Sequence, residues 1–134
     1  MMVDKFIGNA PSFVRRPTKQ QVLDVLQDPT VYIPWGIYAE DVHNLDDLVL
    51  LDNRVLLQIL DAGDGLEVHI CCKRRDRADV REVILAAMDW LRSCGVNKLV
   101  TTAPKTRVAL TNLLKSLGFC ETENKWVMVW DSIQ

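Results

Sequence analysis

The chain has 134 residues, of which 49% are hydrophobic and 25% are charged, and its formal net charge at pH 7 is -2. This length suits one domain, and the near-neutral charge argues against a protein that binds nucleic acid. The four cysteines lack a Cys-x-x-Cys spacing and there are only two histidines, which argues against a zinc site or a disulfide framework. Because no run of residues is apolar enough to span a membrane, we expect a cytoplasmic protein without membrane contact.

The N-terminal part of the chain is predicted to hold a leader, residues 1–12, followed by the domain proper, residues 13–134. A short first strand is expected directly after the leader. Thr18 and Gln21 have the spacing of a capping box, so a helix is predicted to begin at Thr18. Asp28-Pro29 is expected to end that helix, because the residue before a proline avoids helical conformations.

The segment 30–47 is rich in aromatic and branched residues but has no regular period. Pro34 and Gly36 interrupt any long helix or strand, so we predict a loop with one short helix near residues 36–42. The aromatic side chains of this segment are Tyr32, Trp35 and Tyr38.

Three antiparallel strands are predicted to follow the loop. Leu48–Leu51 and Arg54–Leu60 flank the dipeptide Asp52-Asn53, which favours a tight hairpin turn. Apolar and polar residues then alternate from Leu66 to Ile70, which is the period of a strand with two different faces.

A basic turn leads from the third strand into a long helix. Apolar residues recur every three or four positions from Val80 to Leu91, and Gly95 is expected to end the helix. The basic residues of the turn and the first helical turn are Lys73, Arg74, Arg75, Arg77 and Arg81. A strand that runs into a helix N-terminus in this way is suited to hold a phosphate group. Alternatively, Asp76 caps the helix, and the charged side chains form an ordinary solvated face.

The C-terminal part predicts a strand, a helix and two closing strands. Residues 98–104 are rich in β-branched side chains and are expected to return beside the third strand. A helix is predicted from Thr106 to Gly118, and Lys125–Trp130 reads as the last strand after a short one at Cys120. The order of elements predicts an α/β domain with a mixed, mostly antiparallel sheet flanked by helices.

Two segments of this chain resemble motifs of the GCN5-related N-acetyltransferases. Residues 75–80, Arg-Asp-Arg-Ala-Asp-Val, are in register with that family's Arg/Gln-x-x-Gly-x-Gly/Ala loop, and residues 107–119 follow the spacing of its last helix up to Gly-Phe. Ala78 and Val80 replace small residues of the loop, and Leu114 stands where many members have a catalytic tyrosine. Arg107 stands where the family usually has asparagine. The chain is similar to a small, degenerate member of the family, of the kind that bacteriophages encode.

The resemblance implies an enzyme that transfers an acetyl group from acetyl-CoA, as co-substrate, to a small-molecule or protein amine. It assigns acetyl-CoA to residues on the third strand, the turn and the two later helices. These are Val68, Ile70, Cys71, Lys73, Arg74, Arg75, Asp76, Arg77, Ala78, Asp79, Val80 and Arg107. Glu67 and His69 lie on one face of the third strand and are the expected bases, and Tyr38 is a proton donor in the same scheme. Tyr32 is the alternative donor.

Two other hypotheses remain open at this stage. The first is an inactive acetyltransferase-like domain that binds a protein partner or takes part in assembly, through the aromatic segment 32–38 and Trp126 and Trp130. In that case a phage-encoded protein would lie within a virion rather than in the cytoplasm. The second is a regulator that binds coenzyme A without transferring an acyl group.

Overall fold

The computed structural model describes residues 3–31 and 46–130. The predicted short helix near residues 36–42, and with it Tyr38, lies outside the described residues. The helices are α1 (Asp4–Ile7), α2 (Lys19–Leu26), α3 (Val80–Ser93) and α4 (Val108–Ser116). The strands are β1 (Val14–Arg15), β2 (Leu48–Leu51), β3 (Val55–Asp61), β4 (Leu66–Cys72), β5 (Lys98–Thr101), β6 (Cys120–Glu121) and β7 (Trp126–Val129).

In the part of the chain that the structure describes, seven strands form one sheet in the order β1-β2-β3-β4-β5-β7-β6. Among these described strands, only β4 and β5 pair in parallel, and the other neighbours are antiparallel. The parallel pair is joined through α3, as expected for a strand that returns after a crossover helix. The predicted α/β fold with a mixed, mostly antiparallel sheet is therefore confirmed.

Local sequence signals explain several of these elements. The Thr18 hydroxyl accepts a hydrogen bond from the Gln21 amide at 3.1 Å, and the Gln21 side chain accepts one from the Thr18 amide at 2.8 Å. This confirms the predicted capping box at the start of α2. Asp52 and Asn53 both adopt positive φ, 53° and 59°, so the dipeptide makes the left-handed turn that joins β2 to β3.

Strand β4 separates two layers of the core. Leu66 and Val68 pack into the larger hydrophobic cluster, which includes side chains of α3 and α4. Cys71 packs into a smaller cluster with Val22 and Val25 of α2. Since successive side chains of a strand point to opposite faces, the odd-numbered residues of β4 lie on the α2 side of the sheet.

Residues before β1 also belong to this core. Val3 is fully buried, and Phe6 packs its ring edge-on against Trp90 of α3, with the ring centroids 6.5 Å apart. The described N-terminal residues therefore cover part of the α3 face.

Strands β4 and β5 separate after two paired positions. Their parallel pairing is confined to Leu66 with Leu99 and Glu67 with Val100, whereas β4 remains paired with β3 as far as Cys72. Among the described residues, no strand pairs with the β5 side of β4 beyond Glu67. A gap therefore opens in the middle of the sheet, and it positions the candidate site.

Candidate active site

A small cavity of about 30 Å³ lies at the gap between β4 and β5. Val68, His69 and Ile70 of β4 line one side of the cavity, and Thr101 at the end of β5 lines another. Its other walls come mainly from apolar side chains of α3 and α4, among them Leu114. The cavity is apolar and has room for a group of only a few heavy atoms.

A groove of about 670 Å³ runs between the N-terminus of α3 and the length of α4. The end of β4 forms its floor at Ile70 and Cys72. Ile70 and Leu110 line both the groove and the small cavity. The groove and the cavity therefore adjoin at these two side chains.

No side chain caps the N-terminus of α3. The helix begins at Val80. Asp76 is the last residue of a short 3₁₀ turn, Arg74–Asp76, which precedes the helix in the chain. The alternative in which Asp76 caps this helix is therefore wrong, because the 3₁₀ turn carries the Asp76 carboxylate away from the first turn of α3. An uncapped helix N-terminus presents backbone N–H groups and partial positive charge, which favours an anionic ligand.

Asp79 precedes α3 and is held by an arginine from the hairpin. Arg54 donates from Nη1 to Oδ1 of Asp79 at 2.6 Å and from Nη2 to Oδ2 at 2.8 Å. These hydrogen bonds lower the pKa of the Asp79 carboxyl below its ordinary value. The negative charge near the helix N-terminus is thus compensated within the protein.

The structure divides the predicted basic cluster between the two faces of the sheet. Lys73 is buried, and its Nζ donates to Asp24 of α2 at 2.6 Å. Arg75 and Asp76 line a polar pocket of about 420 Å³ beside α2. The Arg74 amide donates to the Thr30 hydroxyl at 3.0 Å. Side-chain alternation along β4, followed by the 3₁₀ turn, directs these residues away from the groove.

The remaining predicted phosphate-binding residues do meet in the groove. The structure places Arg77, Ala78, Val80 and Arg107 along it, together with Ile70. The Arg77 guanidinium is oriented by donating from Nη2 to the Thr30 carbonyl at 2.7 Å. Arg81, which the resemblance did not assign, also lines the groove and donates from Nε to the Ser116 hydroxyl at 3.2 Å.

Glu67 and His69 form a close pair on the α2 side of β4. His69 Nε2 lies 2.6 Å from Glu67 Oε2. The His69 side chain is only 1% exposed, whereas the Glu67 side chain is 26% exposed. His69 also lines the small cavity, although its side chain lies on the α2 face of the sheet. A buried imidazole that is hydrogen-bonded to a partly exposed carboxylate is suited to accept a proton and to pass it outward.

The sequence matches no family model and no curated protein, but the fold matches solved structures. The ribosomal-protein-S18-alanine N-acetyltransferase of Escherichia coli aligns at a TM-score of 0.69 and 13% identity, over 90% of this chain and 95% of that one. YncA of Salmonella typhimurium, solved with its cofactor acetyl-CoA, aligns at a TM-score of 0.63 and 13% identity, over 90% of this chain and 94% of that one. A spermidine N-acetyltransferase of Vibrio cholerae, SpeG, aligns at a TM-score of 0.64 and 10% identity, over 87% of this chain and 92% of that one. The chain has the GNAT fold, named after the GCN5-related N-acetyltransferases.

One polar residue of this GNAT fold was missed by the sequence analysis. Gln58 of β3 lies directly across from His69, is 9% exposed, and has no hydrogen-bond partner for its Oε1 among the described residues. The sequence did carry a signal, since Gln58 is the only polar residue between Val55 and Leu60. A lone polar side chain in a buried strand costs free energy unless a partner satisfies it.

Proposed function

We propose that this protein is an N-acetyltransferase that transfers the acetyl group of acetyl-CoA to a primary amine. The observation that carries the proposal is the groove that leads from the uncapped N-terminus of α3 to the cavity at the β4–β5 gap. The Glu67–His69 pair stands at the end of that path. The GNAT fold supports the same function.

The residues present fit acetyl-CoA in three respects. The first-turn amides of α3, with Arg77 and Arg107 beside them, would hold the pyrophosphate. Among the described residues, no strand pairs with the β5-facing edge of β4 from Val68 to Cys72, and this edge would pair with the amide-containing arm as an added strand does. The small cavity would take the acetyl end. Acetyl-CoA supplies an acyl group activated as a thioester.

The chain's own residues would provide proton transfer and positioning. A primary amine must lose a proton in order to attack a thioester, and the candidate bases are His69, which lines the cavity, and its partner Glu67. The carboxylate of Glu67 orients the imidazole and, being partly exposed, would pass the proton to solvent. Leu114 has no proton to donate to a leaving thiolate, and Tyr38 stays a proposal for that role.

The acceptor is a primary amine on a small molecule or on a protein. Two of the similar structures are named for such acceptors, spermidine and an alanine of a ribosomal protein. The inactive binding module is not favoured, because Trp126 of its expected contact surface is only 4% exposed and carboxylates do not close the phosphate site. Asp76 does not cap α3, and Asp79 is neutralised by Arg54.

Thermal unfolding with acetyl-CoA, followed by an assay for released coenzyme A, tests this function. A ligand at a hundred times its dissociation constant stabilises the native state by about 2.7 kcal/mol, so a saturable rise in Tm is expected. Glu67→Gln should lower kcat by roughly 10²-fold or more while leaving acetyl-CoA binding intact. No rise in Tm at millimolar acetyl-CoA would overturn the proposal, and transfer at the wild-type rate by Glu67→Gln would remove Glu67 from the mechanism.

A further inference from the structure

Two buried polar atoms without partners belong to residues that lie opposite each other on the α2 side of the sheet. Gln58 of β3 and His69 of β4 are register partners, 9% and 2% exposed respectively. Among the described residues, neither Oε1 of Gln58 nor Nδ1 of His69 has a hydrogen-bond partner. Leaving one such buried group unsatisfied costs about 1–3 kcal/mol. Two at one place indicate a binding site that a ligand completes.

The chemistry of the two atoms defines what the ligand must offer. Glu67 Oε2 lies 2.6 Å from His69 Nε2, and a carboxylate only accepts, so Nε2 carries the ring hydrogen. Nδ1 of the neutral ring is then an acceptor, and the carbonyl oxygen Oε1 of Gln58 is an acceptor as well. Directly opposite residues in an antiparallel pair have Cβ atoms about 5 Å apart, so one small group reaches both. That group must donate at least two hydrogens.

We propose that Gln58 Oε1 and His69 Nδ1 together receive the amino group of the acceptor, with the adjacent Glu67 carboxylate supplying the negative charge that a cationic amine requires. This inference rests on the proposed function and deepens it, because it names Gln58 as a binding residue and a primary amine as the group bound. An alcohol donates one hydrogen and a quaternary ammonium donates none, so neither satisfies both atoms. His69 is also one of the residues that line the cavity, so the amine site and the acyl pocket meet at the same position of β4.

Nuclear magnetic resonance of the imidazole nitrogens tests the proposal directly. The full chain is labelled with ¹⁵N-histidine, and a His69→Asn variant distinguishes the two histidines of the sequence. Three primary amines are titrated separately, namely n-butylamine, spermidine and an alanine-terminated tripeptide. Butyltrimethylammonium is the control, since it has the same charge as protonated butylamine but no N–H. All titrations are run with and without saturating coenzyme A, which occupies the groove without transferring an acyl group.

We expect at least one primary amine to shift the His69 Nδ1 resonance saturably, while butyltrimethylammonium does not. Gln58→Met keeps the side-chain length but loses the acceptor, and should raise the dissociation constant for that amine at least tenfold. Gln58→Glu keeps an acceptor and should bind it at least as tightly as the wild type. If a buried water alone satisfies the two atoms, no amine will produce a saturable shift up to 50 mM and the proposal is overturned. An equal shift from the control, or an unchanged affinity in Gln58→Met, would overturn it too.

Calorimetry of acetyl-CoA on the same protein samples separates this inference from the proposed function. Acetyl-CoA binding without an amine shift would overturn the proposed Gln58–His69 amine site and leave the transferase proposal standing. An amine shift without acetyl-CoA binding would support the Gln58–His69 site and overturn the transferase proposal. Both binding events are expected in the wild type, and acetyl-CoA affinity is expected to be unchanged in Gln58→Met.

Discussion

Arg54 neutralises Asp79 across 25 residues of sequence, through two hydrogen bonds that join both carboxylate oxygens to one guanidinium. Arg54 also holds Asp52 of the hairpin turn, from Nη2 to Oδ2 at 2.7 Å. Bidentate pairs of this kind fix geometry as well as charge. The pair removes the repulsion that a lone carboxylate would exert on a phosphate at the N-terminus of α3.

Removing this arginine should weaken acetyl-CoA binding. In Arg54→Met, Asp79 regains an uncompensated charge beside the helix N-terminus, where one charge contributes about 0.3–1 kcal/mol. The dissociation constant measured by calorimetry should therefore rise about two- to fivefold. Adding Asp79→Asn to Arg54→Met should restore the affinity, whereas Asp52→Asn alone should not change it. Weak binding that persists in the double variant would place the effect in the hairpin rather than in the charge of Asp79.

The size of the acyl pocket should depend on Leu114. This residue is 2% exposed and lines the small cavity, so Leu114→Ala enlarges the cavity and should lower the free energy of unfolding by about 2–5 kcal/mol. The enlarged pocket should raise the ratio of kcat/KM for butyryl-CoA to that for acetyl-CoA by about tenfold or more. Leu51→Ala is the matched control, because Leu51 is fully buried but does not line the cavity. Its variant should lose stability and keep the wild-type ratio.

Gly65 directly precedes the paired start of β4, and this position should tolerate no side chain. A Cβ built on Gly65 would lie 2.5 Å from the Lys98 carbonyl oxygen and 2.8 Å from the Lys98 Cβ, where β5 begins. Gly65→Ala should therefore push the two strands apart and cost about 1–3 kcal/mol of stability, measured by urea unfolding. Gly8→Ala serves as the control, since nothing lies within 4 Å of its Cβ and its φ of -61° suits alanine. Equal stabilities for the two variants would contradict the steric explanation.

Two buried thiols should make the protein less stable in alkali. Burial raises the pKa of Cys71 to about 12 and that of Cys72 to about 11, whereas an unfolded cysteine has a pKa of about 8.5. Above pH 8.5 the unfolded chain loses these protons and the folded chain keeps them, so the free energy of unfolding falls as the pH rises. We expect a loss of roughly 4 kcal/mol between pH 8 and pH 10, about half of it from each thiol.

The double variant Cys71→Ala/Cys72→Ala provides the control for this pH dependence. Its free energy of unfolding should fall less steeply than that of the wild type between pH 8 and pH 10. At pH 8, iodoacetamide should label the exposed Cys120 and leave Cys71 and Cys72 unmodified, as read by mass spectrometry. Rapid labelling of Cys71 in the native protein would contradict the assigned burial.

The sequence by itself determined the order and type of the described helices and strands from β1 onward, whereas α1 was not predicted. The capping box at Thr18, the Asp52-Asn53 turn and the alternation in β4 are all confirmed. Each of these signals depends on residues only a few positions apart, so the backbone hydrogen bonds of one turn or one strand are enough to make it readable. The Glu67–His69 pair was readable for the same reason, since i and i+2 share a strand face.

Only the tertiary structure decided which charges meet the groove and which do not. The basic turn looked like one cluster, but Lys73 binds Asp24 of α2, and Arg54 of the hairpin holds Asp79. Gln58 meets His69 through the register of β3 and β4, eleven residues apart. Such contacts depend on which strands pair, in which register, and on which face each helix packs. Those choices are made by the burial of the whole core, so no local pattern in the sequence contains them.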